Sequence, residues 1–188
     1  MVLASRNAHK LRELSLLMAP HDLEPLPDHV ELPPEAGTTF ASNALAKARA
    51  AAAATSTTAL ADDSGIQAAA LGGAPGVFSA RYAGEGATDG ENLEKLLREV
   101  SRDGDRRVEY VCALACVEPG GEEHLVEGRC EGELTHEPRG SGGFGYDPAF
   151  VPADPGDGRT MAELAPEEKD AISHRGRAAR ALLERLGS

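Results

Sequence analysis

The sequence predicts an α/β protein, because apolar segments with strand character alternate with segments of helical periodicity. The first alternation is the apolar run 2–4, a polar turn, and the helically spaced apolar residues Leu11, Leu14, Leu17 and Met18. The second is an Ala-rich helix from Phe40 to about Ala54, followed by the apolar run 57–61. With 188 residues, the chain is most simply one domain, or one domain with two lobes.

The other elements follow from similar patterns. Five prolines between residues 20 and 37 predict an extended or looped segment with at most one short strand, near residues 23–26. The Gly- and Pro-rich stretch 71–82 is predicted as a loop, in which Arg81 is either a phosphate contact or a surface charge. The later elements are predicted as helices over 90–100 and 163–186 and strands over 108–117 and 124–130, the two strands joined by a turn at 118–121.

Composition excludes several classes of protein. Hydrophobic residues make up 41% of the chain, but no run approaches the roughly 20 apolar residues of a membrane span, and no basic and apolar leader opens the sequence. Three cysteines are too few, and odd in number, for a disulfide framework, so a cytoplasmic protein is expected. Cys112 and Cys116 fall on one face of a predicted strand and are expected to pack as small hydrophobic residues.

The charge distribution favours a small anionic ligand. A formal charge of -12 opposes binding to polymeric nucleic acid, but it does not exclude a small polyanion that arrives with its own metal. The chain has 15 arginines and only 4 lysines, which suggests that lysine is kept where a compact charge is needed. Three of them, Lys10, Lys47 and Lys169, lie in segments that carry other candidate residues.

The strongest local signal is the pair of carboxylates Asp62 and Asp63, followed by Ser64 and Gly65, at the end of the predicted strand 57–61. Adjacent aspartates suit Mg²⁺, which takes oxygen ligands and is usually held by one or two carboxylates together with substrate phosphates. The same four residues are also good turn chemistry. A regular strand would point the two side chains in opposite directions, so both can face one metal only if the strand is kinked, which Gly65 could permit.

Other candidates are weak when taken singly. Ser5 and Asn7 are ordinary N-caps, although free N–H groups at a helix start, together with Lys10, also make a phosphate site. Asn43 and Lys47 share one helix face, and alone they are expected to be solvent-exposed. No Walker A motif occurs.

A glycine-rich segment, residues 140–148, matches GxGxxG as a string, but Asp147 and Pro148 oppose the helix that a dinucleotide-binding site needs. The glycines instead indicate a loop that places Phe144 or Tyr146 against a flat ligand. His174 alone would more often be a helix-end residue than a ligand contact.

Six segments in this order resemble the motifs of the inosine triphosphate pyrophosphatase family over nearly the whole chain. They are Ser5-x-Asn7-x-x-Lys10, Glu35-x-Gly37-Thr38-Thr39-Phe40, Ala61-Asp62-Asp63-Ser64-Gly65, Ser79-Ala80-Arg81-Tyr82, Gly142-Gly143-Phe144-Gly145-Tyr146-Asp147-Pro148 and Ser173-His174-Arg175. The resemblance implies an elongated, two-lobed α/β fold around a long mixed sheet flanked by helices, with the active-site cleft between the lobes. It also implies a single domain over residues 1–188 without a separable linker, a homodimer, and Mg²⁺-dependent hydrolysis of ITP, dITP and XTP to the monophosphate and pyrophosphate.

The resemblance also implies roles for individual residues. Asp63 would be the general base, Glu35 and Asp63 would hold Mg²⁺, and Asp62 would be a lesser candidate ligand. The residues expected to contact substrate are Ser5, Asn7, Lys10, Lys47 and Ser64 at the triphosphate, and Phe144, Gly145, Tyr146, Asp147, Lys169, His174 and Arg175 around the base and sugar. Arg175 has donors only, which suits the O6 acceptor of inosine or xanthosine and rejects adenine.

One departure and two rival functions stay open at this stage. Where family members commonly read Glu-Asn-Ala, this chain has Ser42-Asn43-Ala44, and a serine can replace a helix cap but not a ligand for a second metal. A Maf-like pyrophosphatase acting on pyrimidine nucleotides is disfavoured, because its opening Ser-Pro-Arg-Arg is replaced here by Arg6-Asn7-Ala8-His9. A nucleotide-binding module without turnover is the other alternative.

Overall fold

A computed structural model describes residues 1–187 and contains a mixed six-stranded sheet flanked by helices, as the α/β prediction requires. The strands are β1 (Val2–Leu3), β2 (Glu24–Pro25), β3 (Ala59–Ala68), β4 (Arg107–Val117), β5 (Glu123–Leu134) and β6 (Phe150–Pro152). The helices are α1 (Ala8–Leu17), α2 (Phe40–Thr55), α3 (Asp89–Glu99), α4 (Pro166–Ile172) and α5 (His174–Leu186). The strand order is β2-β1-β3-β4-β5-β6, in which β1 is parallel to β2 and β3, and β5 is antiparallel to β6.

The chain divides into two compact units, each with its own hydrophobic core. Unit 1 contains Met1–Asp63, Cys112–Gly128 and the segment from His174 onward, and unit 2 contains Ser64–Val111 and Arg129–Ser173. The largest buried side chains in the core of unit 1 are Leu3, Leu14, Met18, Leu60, Leu114 and Leu182, and in that of unit 2 they are Ile66, Leu96, Met161 and Phe150.

None of the helices within residues 1–187 combines the length and apolar character of a membrane span. That residues 1–188 form a single domain stays a prediction.

Local capping explains where the first two long helices begin. The side chain of Asn7 accepts hydrogen bonds from the backbone N–H groups of His9 and Lys10, which caps α1. Thr39 and Ser42 form a capping box at the start of α2, so Ser42 fills the capping role expected of it.

Three local expectations were wrong. The strand containing the aspartate pair does not end there but continues to Ala68, because both carboxylates find partners and can therefore be buried inside a strand. The predicted helix 163–186 is split into α4 and α5 at Ser173. The stretch 71–82 contains a short 3-10 helix, Gly76–Arg81, instead of an open loop.

Close backbone packing between β5 and α5 depends on Gly128. A Cβ atom at this position would clash with the carbonyl oxygen of His174 and the backbone nitrogen of Ala178. Because both obstacles are backbone atoms, a side chain at residue 128 would force the helix away from the strand.

We therefore expect Gly128→Ala to lower the free energy of unfolding by about 1–3 kcal/mol. The measurement is the urea midpoint at constant m-value. Gly120→Ala is the matched control, because a Cβ there meets no atom within 4 Å, and its effect should stay within about 0.5 kcal/mol. Equal stability of the two variants would contradict the close contact.

Candidate functional site

The candidate site in unit 1 is built around the two adjacent aspartates in the middle of β3. Asp62 is fully buried and Asp63 is 5% exposed. Successive side chains of a strand point to opposite faces of the sheet, and the two carboxylates accordingly have different partners. The alternation of side chains along a regular strand predicted this separation. The two carboxylates do not face the same cation.

Asp63 lies at the centre of the first group of partners, which come from α2 and the segment before it. Its Oδ1 accepts a hydrogen bond from Lys47 Nζ at 2.8 Å, and its Oδ2 accepts one from Asn43 Nδ2 at 3.1 Å. The same Lys47 ammonium donates to Glu35 Oε1 at 2.6 Å and to the backbone oxygen of Asp62 at 2.9 Å. Two carboxylates therefore converge on one buried lysine.

This arrangement shifts the pKa values of Asp63 and Glu35 in opposite directions. Burial raises the pKa of Asp63, and the charge of Glu35 adds to that effect against the opposing pull of Lys47. For Glu35, burial is outweighed by Lys47, and its pKa is lowered. The pKa of Lys47 is raised, because its two carboxylate partners outweigh the effect of burial. Asp63 is thus the stronger proton acceptor of the two acids.

The chemistry of this donor set fits a hard cation. Glu35 and Asp63 each present a carboxylate oxygen within 3 Å of the same ammonium, so both can reach a common ion. Oxygen donors of this type are what Mg²⁺ requires. Ser42 belongs to the capping box with Thr39 and adds no carboxylate to this group.

Asp62 forms the second group of partners. Lys10 from α1 pairs with Oδ1, while Arg175 Nε approaches Oδ2 at 3.2 Å and the Cys112 thiol donates to the same oxygen at 3.0 Å. Arg175 also donates from Nη1 to Glu13 Oε2 at 2.5 Å. A single buried carboxylate thus holds two cations from two different helices.

Two cations hold Asp62 in its ionised form. Burial would raise its pKa, but Arg175 and Lys10 outweigh that effect and hold the pKa well below its usual range. Both oxygens bind these cations, and a role of Asp62 as a lesser metal ligand stays a prediction.

The remaining candidates of unit 1 lie near helix starts. Ser5 accepts a hydrogen bond from the backbone N–H of Asn7 at 3.1 Å, while Asn7 itself caps α1. Both side chains therefore act as local caps in this structure. His174 is buried at the first residue of α5, at a helix end. Ser64, which begins unit 2, follows Asp63 in β3 and is half-buried.

Unit 2 contains a second buried carboxylate, Asp147, in the glycine-rich segment. Its Oδ2 accepts hydrogen bonds from Lys169 Nζ at 2.8 Å and from the Phe144 backbone N–H at 3.0 Å, and its Oδ1 accepts one from the Tyr110 hydroxyl at 3.1 Å. The Lys169 ammonium lies 5.2 Å from the centroid of the Phe144 ring. Asp147 therefore fixes both the lysine and the loop that carries the aromatic ring.

The two aromatic candidates of that loop differ in exposure. Tyr146 is only 5% exposed, packs in the core of unit 2 and donates to the Ser79 carbonyl at 2.7 Å. Phe144 is half-exposed, and the next residue, Gly145, donates its N–H to Asp89 at 2.8 Å. Of the two rings, Phe144 is the one available to a flat ligand.

Sequence patterns missed the burial of Asn43 and Lys47. Taken alone, both were expected to be solvent-exposed, and only the family resemblance assigned Lys47 to the triphosphate. Both are buried, because they neutralise and hydrogen-bond the carboxylates described above. Their spacing of four was the available signal. No sequence signal indicated Glu13, Cys112 or Tyr110, because each joins its group through tertiary packing.

The chain is similar to known proteins over nearly its whole length. The sequence profile of the Ham1 family matches residues 1–185. A protein of Streptomyces coelicolor named dITP/XTP pyrophosphatase is 49% identical over 97% of this chain and 94% of its own length. The solved structure of a HAM1 protein from Coxiella burnetii superposes with a TM-score of 0.87 at 46% identity, covering 99% of this chain and 97% of that one. For a Mycobacterium abscessus structure titled nucleoside-triphosphatase / dITP/XTP pyrophosphatase, the TM-score is 0.76 at 48% identity, with 97% of each chain covered. The chain belongs to the Ham1 family.

Proposed function

We propose that this protein hydrolyses non-standard purine nucleoside triphosphates, namely dITP, ITP and XTP, to the monophosphate and pyrophosphate, and so removes them from the nucleotide pool. The observation that carries the proposal is the group of Asp63, Glu35 and Lys47, in which a proton-accepting carboxylate lies beside a second carboxylate and a buried cation. The names of close relatives, dITP/XTP pyrophosphatase, support the same activity.

Glu35 and Asp63 are the residues that would hold Mg²⁺. When bound, the ion would neutralise phosphate charge, which is a large part of catalysis in phosphoryl chemistry. Lys47 balances the two carboxylates and keeps them together. A second metal site is not part of the proposal, since Ser42 caps α2.

Asp63 is the proposed general base. Formation of the monophosphate and pyrophosphate requires that water cleave the anhydride between the α- and β-phosphates, and the water must lose a proton as it attacks. Burial and the charge of Glu35 raise the pKa of Asp63 in the metal-free protein, which favours proton acceptance by this carboxylate. Asn43 holds the other carboxylate oxygen and thereby fixes the orientation of the base.

The triphosphate is proposed to lie against the start of α1 and the adjacent lysines. The positive end of a helix dipole and the charge of Lys10 both attract phosphate oxygens. Ser5, Asn7 and Lys47 complete this part of the proposal, and Ser64 is proposed to contact the phosphates as well.

Base and sugar recognition is assigned to seven residues, of which the half-exposed Phe144 is proposed to stack on the purine. Arg175 is proposed to donate to the O6 acceptor of hypoxanthine or xanthine, which the 6-amino group of adenine cannot replace. Arg175 is buried in the structure, and its Nε and Nη1 donate to Asp62 and Glu13. The full set is Phe144, Gly145, Tyr146, Asp147, Lys169, His174 and Arg175.

Two further properties are proposed, the first from the family resemblance and the second from the cysteines. The protein acts as a homodimer, and it works in the cytoplasm, for which its three free cysteines are typical.

The first test is an assay of pyrophosphate release from dITP, ITP, XTP, ATP and GTP with Mg²⁺ present. We expect kcat/KM for the first three to exceed that for ATP by on the order of 100-fold, because a site built to donate to O6 leaves its donors unpaired with adenine. GTP is expected to be a slow substrate as well, but guanine has the same O6, so its exclusion would depend on the shape of the pocket around the 2-amino group. Chelation of the metal should abolish turnover, and added Mg²⁺ should restore it.

Other outcomes would indicate a different function or a different specificity. Faster turnover of pyrimidine triphosphates would indicate the Maf-like activity. Tight binding of ITP without pyrophosphate release would indicate a nucleotide-binding module, and equal hydrolysis of all purine triphosphates would refute the specificity.

The second test is the variant Asp63→Asn. An amide cannot accept the proton, so kcat should fall by about 100- to 10,000-fold. Asp105→Asn removes an exposed carboxylate that pairs with Arg107 and serves as the control, with unchanged kcat expected. Circular dichroism verifies that both variants fold, and a folded Asp63→Asn protein with near-normal kcat would rule out Asp63 as the base.

A further inference from the structure

We propose that Asp62 is a positioning residue of the reaction, which holds Lys10 and Arg175 in their binding geometry without touching substrate or metal itself. The inference rests on the proposed function, in which Lys10 binds phosphate and Arg175 binds the base. It assigns Asp62 a role different from that of its neighbour Asp63.

The contacts of Asp62 are with cations and with a thiol. Oδ1 pairs with Lys10, and Oδ2 is shared by Arg175 Nε at 3.2 Å and Cys112 Sγ at 3.0 Å. The side chain of Asp62 is fully buried, and both of its carboxylate oxygens bind a cation. Its effect on substrate must pass through the two cations.

Lys10 and Arg175 would lose their alignment without this carboxylate. Lys10 is half-buried on α1, and its long flexible side chain has many rotamers to choose from. Arg175 is the second residue of α5, where a cation opposes the positive end of the helix dipole. An unfavourable position of this kind, compensated by buried Asp62 and by Glu13 on α1, is typical of a residue placed for function.

Glu13 and Asp62 together determine the orientation of the Arg175 guanidinium. Nη1 donates to Glu13 at 2.5 Å and Nε donates to Asp62, so the plane of the group is fixed by two acceptors on two elements. Because Glu13 lies one turn after Lys10 on α1, Arg175 is paired with the same helix that carries Lys10.

The test is steady-state kinetics of Asp62→Asn with dITP. The substitution keeps the shape of the side chain and removes the charge that aligns both cations. Since the cations bind substrate in the ground state and in the transition state alike, KM should rise by about 100-fold while kcat changes little. A large fall in kcat at unchanged KM would overturn the proposal, because it would make Asp62 part of the chemistry.

A double-mutant cycle separates positioning from general damage. If Asp62 acts through Lys10, adding Asp62→Asn to Lys10→Met should raise KM at least about tenfold less than it does in the wild type. Fully additive effects would refute the coupling. Should Asp62→Asn fail to fold, as circular dichroism would reveal, Glu13→Gln takes its place, with a smaller rise in KM expected and an unchanged KM counting against the proposal.

A binding measurement keeps this proposal distinguishable from the proposed function. Inorganic pyrophosphate should raise the Tm of the wild type and of the control Glu123→Gln, in which an arginine–carboxylate pair with Arg49 is removed elsewhere in unit 1. It should raise the Tm of Asp62→Asn much less. If the wild type releases no pyrophosphate from any triphosphate, the proposed function fails, yet this difference in Tm still tests the positioning role. Equal shifts in all three proteins would overturn it.

Discussion

The structure depends on the burial of two adjacent carboxylates inside one strand of the sheet. Taking a charged carboxylate out of water costs several kcal/mol, and the cost is offset only when cations and hydrogen-bond donors meet it. For Asp63 the donors come from α2, and for Asp62 they come from α1 and α5. The helices of unit 1 must therefore dock on β3 in one arrangement, since any other leaves a buried charge unpaired.

In unit 2 a buried carboxylate is likewise paired with a lysine, but its other contacts hold a loop. Asp147 is buried and binds Lys169, as Asp62 binds Lys10, but it also accepts hydrogen bonds from a loop backbone and from the Tyr110 hydroxyl. These bonds hold the glycine-rich segment around Phe144, whose ring stays half-exposed while that of Tyr146 enters the core. In both units a buried aspartate of a sequence motif, Asp62 or Asp147, holds neighbouring side chains in place.

Local patterns were enough to predict most of the elements, because capping, proline and periodicity act over a few residues. Asn7 caps α1, and the strands near residues 108–117 and 124–130 lie where their apolar patterns indicated. The continuation of β3 through its aspartates could not be predicted, since it depends on cations far away in the chain. The same is true of the buried Asn43 and of Glu13, whose partner Arg175 lies 162 residues later. Resemblance to known motifs assigned Glu35 and Asp63 to the metal and Lys47 to the triphosphate. The pairing of Lys47 with both carboxylates is seen only in the structure.

The alternation of Asp62 and Asp63 has a consequence for how this chain can change. Inserting or deleting one residue early in β3 would slip the strand and exchange the two faces, because side-chain direction has a period of two. The buried arginine would then meet the proton-accepting carboxylate, and the lysine of α2 would meet the other. We therefore expect insertions and deletions to be accommodated in turns, such as 118–121, and not between Ala59 and Asp63.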